Sequence, residues 1–138
     1  MATSALNKFN SFTEAVAEKV HNLGSDTLTV ALTNTAPVAT NTVLANITQV
    51  TYTNLNTRAL TVSGSSQTSG VYKLTITDKT LTSTGGSTGP FRYVVLYNDT
   101  ATNDELIGWY DYGVSITLGD GESLVLNFDD ANGVLTIT

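Results

Sequence analysis

The most constraining feature of the sequence is a change in the spacing of its apolar residues at Thr27. From there onward apolar and polar side chains alternate, beginning with the run "TLTVALTN", in which Leu28, Val30 and Leu32 alternate with threonines. Successive side chains of a β-strand point to opposite faces of a sheet. The alternation therefore predicts a half-buried strand with its threonines facing outward.

Further short segments with this spacing follow at intervals of roughly 8–12 residues, which is typical of an antiparallel sandwich or barrel. They include "RALTV", "VYKLTITD", "KTLT", "FRYVVLYND", "ELIGWYDYG", "VSITLG", "ESLVLNF" and "GVLTIT". We favour a mainly β fold, an antiparallel, jelly-roll-like β-sandwich. At 138 residues the chain has the length of one domain, residues 1–138.

The connections between these segments carry their own predictions. Residues 36–57 are polar and contain a proline, which indicates a long excursion with a short strand or turn near Val43–Ile47. The Ser/Thr/Gly-rich stretches 63–70 and 83–89 are predicted to be loops. Asp-Gly and Asn-Gly pairs in "LGDGE" and "DDANG" tolerate positive φ, so both are predicted to form hairpin turns.

The residues before Thr27 follow a helical spacing instead. In "SALNKFNSFTEAVAEKVHNLG" the apolar residues recur at three- and four-residue steps: Leu6, Phe9, Phe12, Ala15, Val16, Val20 and Leu23. This predicts an amphipathic helix over about residues 4–23, capped by Ser4 and ended by Gly24 in a left-handed turn. The apolar stripe has two alternative roles: it closes one end of the sandwich, or it packs against another protein.

Composition excludes several classes of partner. Six basic residues against twelve acidic ones give a net charge of −6, so no basic face can be assembled for nucleic acid or for an anionic membrane. There is no cysteine, hence no disulfide and no thiolate metal site. The first residues contain no apolar run typical of a signal peptide, so we expect synthesis and folding in a cytoplasm.

The surface is predicted to be rich in hydroxyl groups. Threonine accounts for 25 of the 138 residues, whereas charged residues make up only 13% of the chain. A typical soluble domain carries about 25% charged residues. An exterior of this kind costs little to desolvate, which suits a surface that lies against another protein.

The sequence offers few residues that could carry out catalysis. His21 is the sole histidine, and no serine lies in a G-x-S-x-G turn beside which it could act as a base. The helix dipole would favour a histidine near the end of the predicted helix without any function. We therefore predict no catalytic, cofactor-binding or metal-ligating residue, no cofactor, and no enzymatic activity.

Clusters of acidic residues offer an alternative. Asp99, Asp104 and Glu105, or the acidic residues at 120, 122, 129 and 130, could supply oxygen ligands to calcium. The run "DTATNDE" lacks the ligand spacing and central glycine of an EF-hand loop. Because Asp and Asn are common turn residues, we favour solvated turns.

The stretch "GPFRYVVLYNDT" predicts a central strand. Its alternation places Phe91, Tyr93, Val95 and Tyr97 on one face, and Arg92, Val94 and Leu96 on the other. Both faces are mostly apolar, which is typical of a strand covered on both sides. Arg92 lies near the start of this strand, where we expect it to pair with a carboxylate such as Asp111.

The run "GWYDYG" is the second aromatic segment. Alternation places Trp109 and Asp111 on one face of a strand, and Tyr110 and Tyr112 on the other. Aromatic residues of this kind pack a core and border a partner protein. The alternatives are stacking on a sugar and a glycosidase carboxylate pair beside the aromatic side chains.

The chain as a whole resembles small virion proteins of tailed bacteriophages. The resemblance rests on "NKFNSFTEAVAEKVHNLGSDTLTVALTNTAPV", "GPFRYVVLYNDT", "LIGWYDYG" and "ITLGDGESLVLNFDDANGVLTI", and it is weakest across residues 36–88. It implies a capsid-associated structural protein, and a head decoration (cement) protein is the favoured kind. It assigns a role to no individual residue.

The resemblance implies a set of partners and a location. The expected partners are the major capsid protein and further copies of the same chain, with a trimer suited to the three-fold sites of a capsid lattice. The expected location is the capsid surface of the virion. The candidate contact residues are Phe9, Phe12, Val16, Val20, Arg92, Trp109 and Tyr112. The alternative is a tail, fibre or neck-associated protein that binds host glycans through Trp109 and Tyr112.

Overall fold

A computed structural model describes residues 5–138 of the chain. In this part of the chain, nine strands accompany one α-helix and one 3₁₀ helix. In chain order they are β1 (Asn7–Lys8), α1 (Ser11–Ala17), β2 (Leu28–Thr33), the 3₁₀ helix (Leu44–Asn46), β3 (Val62–Thr68), β4 (Val71–Ile76), β5 (Lys79–Thr82), β6 (Thr88–Asn98), β7 (Leu106–Leu118), β8 (Ser123–Leu126) and β9 (Leu135–Ile137). The predicted mainly β fold with one N-terminal helix is confirmed.

The strands form three antiparallel sheets. A four-stranded sheet has the order β1-β7-β6-β2, a three-stranded sheet has the order β3-β4-β9, and β5 pairs with β8. One core joins them, because Leu32 of β2, Leu74 of β4 and Leu81 of β5 belong to the same buried cluster. The arrangement is sandwich-like, with a second layer divided between two small sheets.

The other face of the four-stranded sheet is also covered. Here a second buried cluster contains Phe9, Ala31, Ile47, Val95, Tyr97 and Leu106, with Leu44 and Trp109 packed against it. Residues 44 and 47 lie at the 3₁₀ helix, so the long excursion after β2 contributes apolar side chains to this face. The prediction that β6 is a central strand covered on both sides is confirmed.

Strand β2 is more deeply buried than its alternation predicts. All six of its residues are buried, including Thr29 and Thr33 on the face that we expected to be exposed. The free edge of the strand is covered too: Leu60 N–H donates to Leu28 O (2.8 Å), and Val50 N–H donates to Leu32 O (3.0 Å). The Thr33 hydroxyl is satisfied locally, since it accepts from the Thr35 N–H, whereas the buried Thr29 hydroxyl has no hydrogen-bond partner.

The predicted helix over residues 4–23 is wrong in extent. Its regular part runs only from Ser11 to Ala17, and Asn7–Lys8 before it forms β1, which pairs with β7. The turn after the helix places the positive φ of 66° on Lys19 rather than on Gly24. Pairing with β7 satisfies the backbone of β1 and buries Phe9, which outweighs the helical spacing. The proposed cap, Ser4, lies outside the described residues.

Two predictions about turns are also wrong. Residues 63–70 are not a loop: they form most of β3 and the turn that leads into β4. The turns "LGDGE" and "DDANG" carry positive φ at Gly121 and Gly133, as expected, but they do not close hairpins. The flanking strands pair elsewhere, β8 with β5 and β9 with β4. Turn residues set the local backbone, whereas burial decides which strands pair.

The face assignment in β6 needs one correction. Phe91 lies with Val94 and Leu96 in the main core, not with Val95 and Tyr97. The register with β7 shifts between Phe91 and Tyr93. Between these two pairs β6 advances two residues whereas β7 advances five, from Asp111 to Ile116, so regular pairing is interrupted here and the alternation does not extend back to Phe91.

Candidate functional site

An ion pair links the two aromatic strands. Arg92 Nε donates to Asp111 Oδ1 at 2.8 Å, and Arg92 Nη2 donates to Asp111 Oδ2 at 3.1 Å. The hydrogen bond from Arg92, followed by one from the Gly113 N–H, holds the pKa of the Asp111 carboxyl below its usual range. The predicted pairing is confirmed. Both side chains are more than one-third exposed, so the pair is a surface feature that fixes geometry rather than a source of much stability.

The aromatic residues of β7 divide between the two faces of the sheet, as alternation predicts. Trp109 packs on Phe9 with ring centroids 4.6 Å apart, whereas Tyr110 lies edge-on to Phe128 in the main core. Tyr112 lines, together with Tyr110, the cavity beside Phe128. Trp109 and Tyr112 therefore do not form one surface on which a sugar could stack.

The apolar contact residues of the N-terminal segment are largely used within the molecule. Phe9 is fully buried and Phe12 is 5% exposed, so neither is available to a partner. The interpretation of these two as protein-contact residues is corrected: they complete the two cores of the protein itself. Val16 and Val20 are half-buried and line an open groove.

His21 lies in a buried polar network at the end of this segment. Asn98 Nδ2 lies 3.0 Å from His21 Nδ1 and also donates to Asp26 Oδ2 at 2.7 Å. Both His21 and Asn98 are buried, and His21 Nε2 has no hydrogen-bond partner. Burial lowers the pKa of His21, while the charges of Glu105 and Asp26 act in the opposite direction.

The groove beside His21 has a volume of about 1120 Å³. Its walls come from the segment after α1, the loop after β6, and Ser65 and Tyr72 of the β3–β4 hairpin. His21 hydrogen-bonds to the Asn98 amide and to no hydroxyl group in the described part of the chain. The network joins three segments of the fold and does not assemble a nucleophile with its base.

Three of the acidic residues singled out as possible calcium ligands accept hydrogen bonds from the backbone of turns and loops, whereas Glu105 forms a β-bridge with Val43. Asp120 accepts from the Gly85 N–H, Glu122 from the Gly119 N–H, and Asp129 from the Asn132 N–H, each at 2.8–2.9 Å. Across residues 5–138, no group of three His, Cys, Asp or Glu side chains is placed to hold a metal ion. The same residues include no helix long and apolar enough to cross a membrane.

Strand β3 presents a different kind of candidate site, an open sheet edge. It lies at one end of the β3-β4-β9 sheet, and its residues Ser65, Ser66, Gln67 and Thr68 are exposed. The run "VSGSSQT" contains no charged side chain. Natural edge strands usually carry charges or prolines that prevent pairing with other chains, and β3 has neither.

Sequence reasoning missed both the edge and the buried amide. A Ser/Gly-rich run without apolar alternation resembles a loop, and the one signal for a hairpin was the Ser69–Gly70 pair ahead of "VYKLTITD". Asn98 stands where a strand meets a turn, so its sequence position suggested a solvated residue. The burial of its side chain depends on His21, which lies 77 positions away.

Comparison with known proteins identifies no relative of this chain. No family model matches the sequence, and neither the curated proteins nor the solved structures contain a match.

Proposed function

We propose that this protein is a head decoration (cement) protein of a tailed bacteriophage. It binds the assembled lattice of the major capsid protein and stabilises the shell by burying surface across capsomer boundaries. The proposal rests on the phage-like sequence pattern together with one structural observation, the exposed and uncharged edge at β3.

The chemistry of that edge suits protein contact. Interface cores are depleted in charged residues, because a charge must lose its water when a partner covers it. Along the edge, the hydroxyls of Ser66 and Thr68 can exchange a hydrogen bond to water for one to a partner. The Ser65 hydroxyl and the Gln67 side-chain oxygen are already hydrogen-bonded within the hairpin, to the Tyr72 hydroxyl (2.8 Å) and from the Gly70 N–H (3.0 Å). Many copies on a lattice add their contributions, so modest affinity per contact is sufficient.

The N-terminal segment has a supporting role in this proposal. With Phe9 and Phe12 committed to the cores, its apolar stripe holds the sandwich together rather than meeting the capsid. The remaining candidates are the half-exposed Arg92 and the half-buried Val16, Val20, Trp109 and Tyr112. Their contribution is secondary to the β3 edge.

The test is to locate and count the protein in purified particles. We expect mass spectrometry to give a copy number proportional to the number of capsomers, and a density map to place the chain on the outer shell. Recombinant protein should bind expanded shells saturably and raise the temperature at which they release DNA. A copy number equal to that of one portal or tail ring would contradict the proposal and support the tail-associated alternative.

A further inference from the structure

The outer edge of β3 has no backbone partner in the described part of the chain. The backbone of this strand pairs with β4. No other backbone hydrogen bond among the described residues involves residues 62–68. The outer edges of β2 and β5 differ from it, because the Leu60 N–H donates to the Leu28 carbonyl of β2 and the side chain of Asn56 accepts from the Thr82 N–H of β5. The β3 edge is therefore open for a further strand.

The geometry of the hairpin shows which groups face outward. Ser69 (φ 51°) and Gly70 (φ 82°) form a two-residue turn with positive φ at both positions, so Thr68 and Val71 bond to each other. Bonding alternates along an antiparallel pair. Ser66 therefore also faces β4, whereas Ser65 and Gln67 direct their backbone N–H and C=O groups away from it.

The regular part of the strand is short and has a defined centre. It runs from Gly64 to Thr68, between a register shift at Val62/Gly64 and the turn, and Ser66 is its middle residue. An identical strand placed antiparallel about a two-fold axis at Ser66 brings each Ser65 opposite the other molecule's Gln67. All the outward groups of the regular segment then find complements, as an isologous interface requires.

Charge limits the surfaces through which two copies associate. Each molecule has a net charge of −6, so copies repel overall, and contact through a surface without charged side chains adds least to that repulsion. The β3 strand is such a surface, because it carries no charge of either sign.

We propose that two copies of this chain associate through antiparallel pairing of β3, which joins their three-stranded sheets into one sheet of six strands. In this dimer the backbone groups of the β3 edge bond between the two copies, so the exposed side chains of the joined sheet, and not its backbone edge, are left to meet a capsid. Self-association is measured on the isolated protein and is tested independently of capsid binding.

The test uses charge at the two-fold axis. In the proposed dimer the two Ser66 side chains lie directly opposite each other, and Lys73 of β4 pairs with Ser66 on the same face of each chain. Ser66→Lys therefore places like charges in contact beside two further lysines and should weaken the dimer about tenfold or more, whereas Ser66→Glu, which Lys73 partly neutralises, should weaken it less. An equimolar mixture of the two variants should restore the dimer as a heterodimer. Thr48→Lys, at an exposed position in the excursion after β2, is the matched control and should dimerise like the wild type.

Sedimentation equilibrium over a range of concentrations measures all four samples, and far-UV circular dichroism verifies that each variant is folded. Pairing at Ser66 is supported if the dimer is weakened in each variant by itself and recovers in the mixture. A wild-type protein that stays monomeric, or that forms a trimer, overturns the inference. A dimer insensitive to both Ser66 variants does so too, since it must use another surface.

Discussion

The side-chain amide of Asn98 is fixed in one orientation and donates to Nδ1 of His21. Its oxygen accepts from the backbone N–H groups of Thr100 (3.0 Å) and Ala101 (3.2 Å), and its nitrogen also donates to Asp26. His21 Nδ1 must therefore act as an acceptor, which makes the imidazole neutral with its proton on Nε2. Protonation of Nδ1 would place two donors face to face.

This relationship predicts that mild acid destabilises the protein through His21. Burial places the pKa of His21 in the folded protein below its ordinary value near 6.5, against the opposing charges of Glu105 and Asp26. The unfolded chain therefore takes up a proton first as the pH falls. The free energy of unfolding should decrease from about pH 6.5 down to the folded pKa, and then stop changing on account of this group.

Urea denaturation at closely spaced pH values measures the effect. His21→Gln keeps an acceptor for Asn98 but does not titrate, so its stability should change less than that of the wild type between pH 6.5 and 5. Parallel curves for the two proteins would show that His21 does not carry the acid sensitivity.

At high pH we expect a contribution from Tyr110. Burial, with a smaller effect from Asp129, raises the pKa of Tyr110 to about 12. The folded protein therefore holds its proton above pH 10, where an ordinary tyrosine loses it. The free energy of unfolding should fall as the pH rises from 10 to 12, and Tyr110→Phe should lose that part of the decrease. The difference in tyrosinate absorbance near 295 nm between the wild type and Tyr110→Phe isolates this group from the other five tyrosines, and a mid-point near 10 in that difference would contradict this prediction.

Phe91 is expected to be among the side chains that contribute most to stability. It is fully buried in the main core, between the four-stranded sheet and the two small ones. Phe91→Ala should lower the free energy of unfolding by about 3–5 kcal/mol, because it removes apolar contacts and leaves a cavity. Val114→Ala is the control: Val114 is 59% exposed, so the change should be within about 0.5 kcal/mol. Similar losses for both variants would mean that Phe91 is not a core residue.

Two glycines with nearly the same φ separate backbone strain from steric contact. Gly70 (φ 82°) has open space around it, so Gly70→Ala should cost only about 1–2 kcal/mol for a left-handed backbone. Gly133 (φ 83°) would place an added Cβ 2.9 Å from the Leu74 carbonyl oxygen, which already accepts from the Val134 N–H. Gly133→Ala should therefore be clearly more destabilising in thermal or urea unfolding, and equal losses would contradict this contact.

The sequence correctly predicted a mainly β fold and the central position of β6, because a strand buried on both faces needs apolar residues on both. Which strand pairs with which does not change the residue types in this way. "LGDGE" and "DDANG" showed where the chain turns but not that the strands beside them pair at a distance.

Prediction of the candidate site succeeded only where the relevant residues lie in one alternating run. Arg92 and Asp111 were expected to pair and do so. Phe9 and Phe12 followed a helical spacing, yet strand pairing at Asn7–Lys8 interrupts the helix and turns both rings inward. The sequence did not predict strand β3, because its residues show no apolar alternation and exposed polar strands have compositions similar to those of loops.

The pairing of β1 with β7 has a consequence for how the chain acquires its structure during synthesis. Asn7 is synthesised well before its partner Trp109, which lies 102 positions further along the chain. Until β7 has been synthesised, β1 has no partner strand. Because such distant contacts form slowly, this sheet is completed only after β7 has been synthesised, and β1 joins it late in folding.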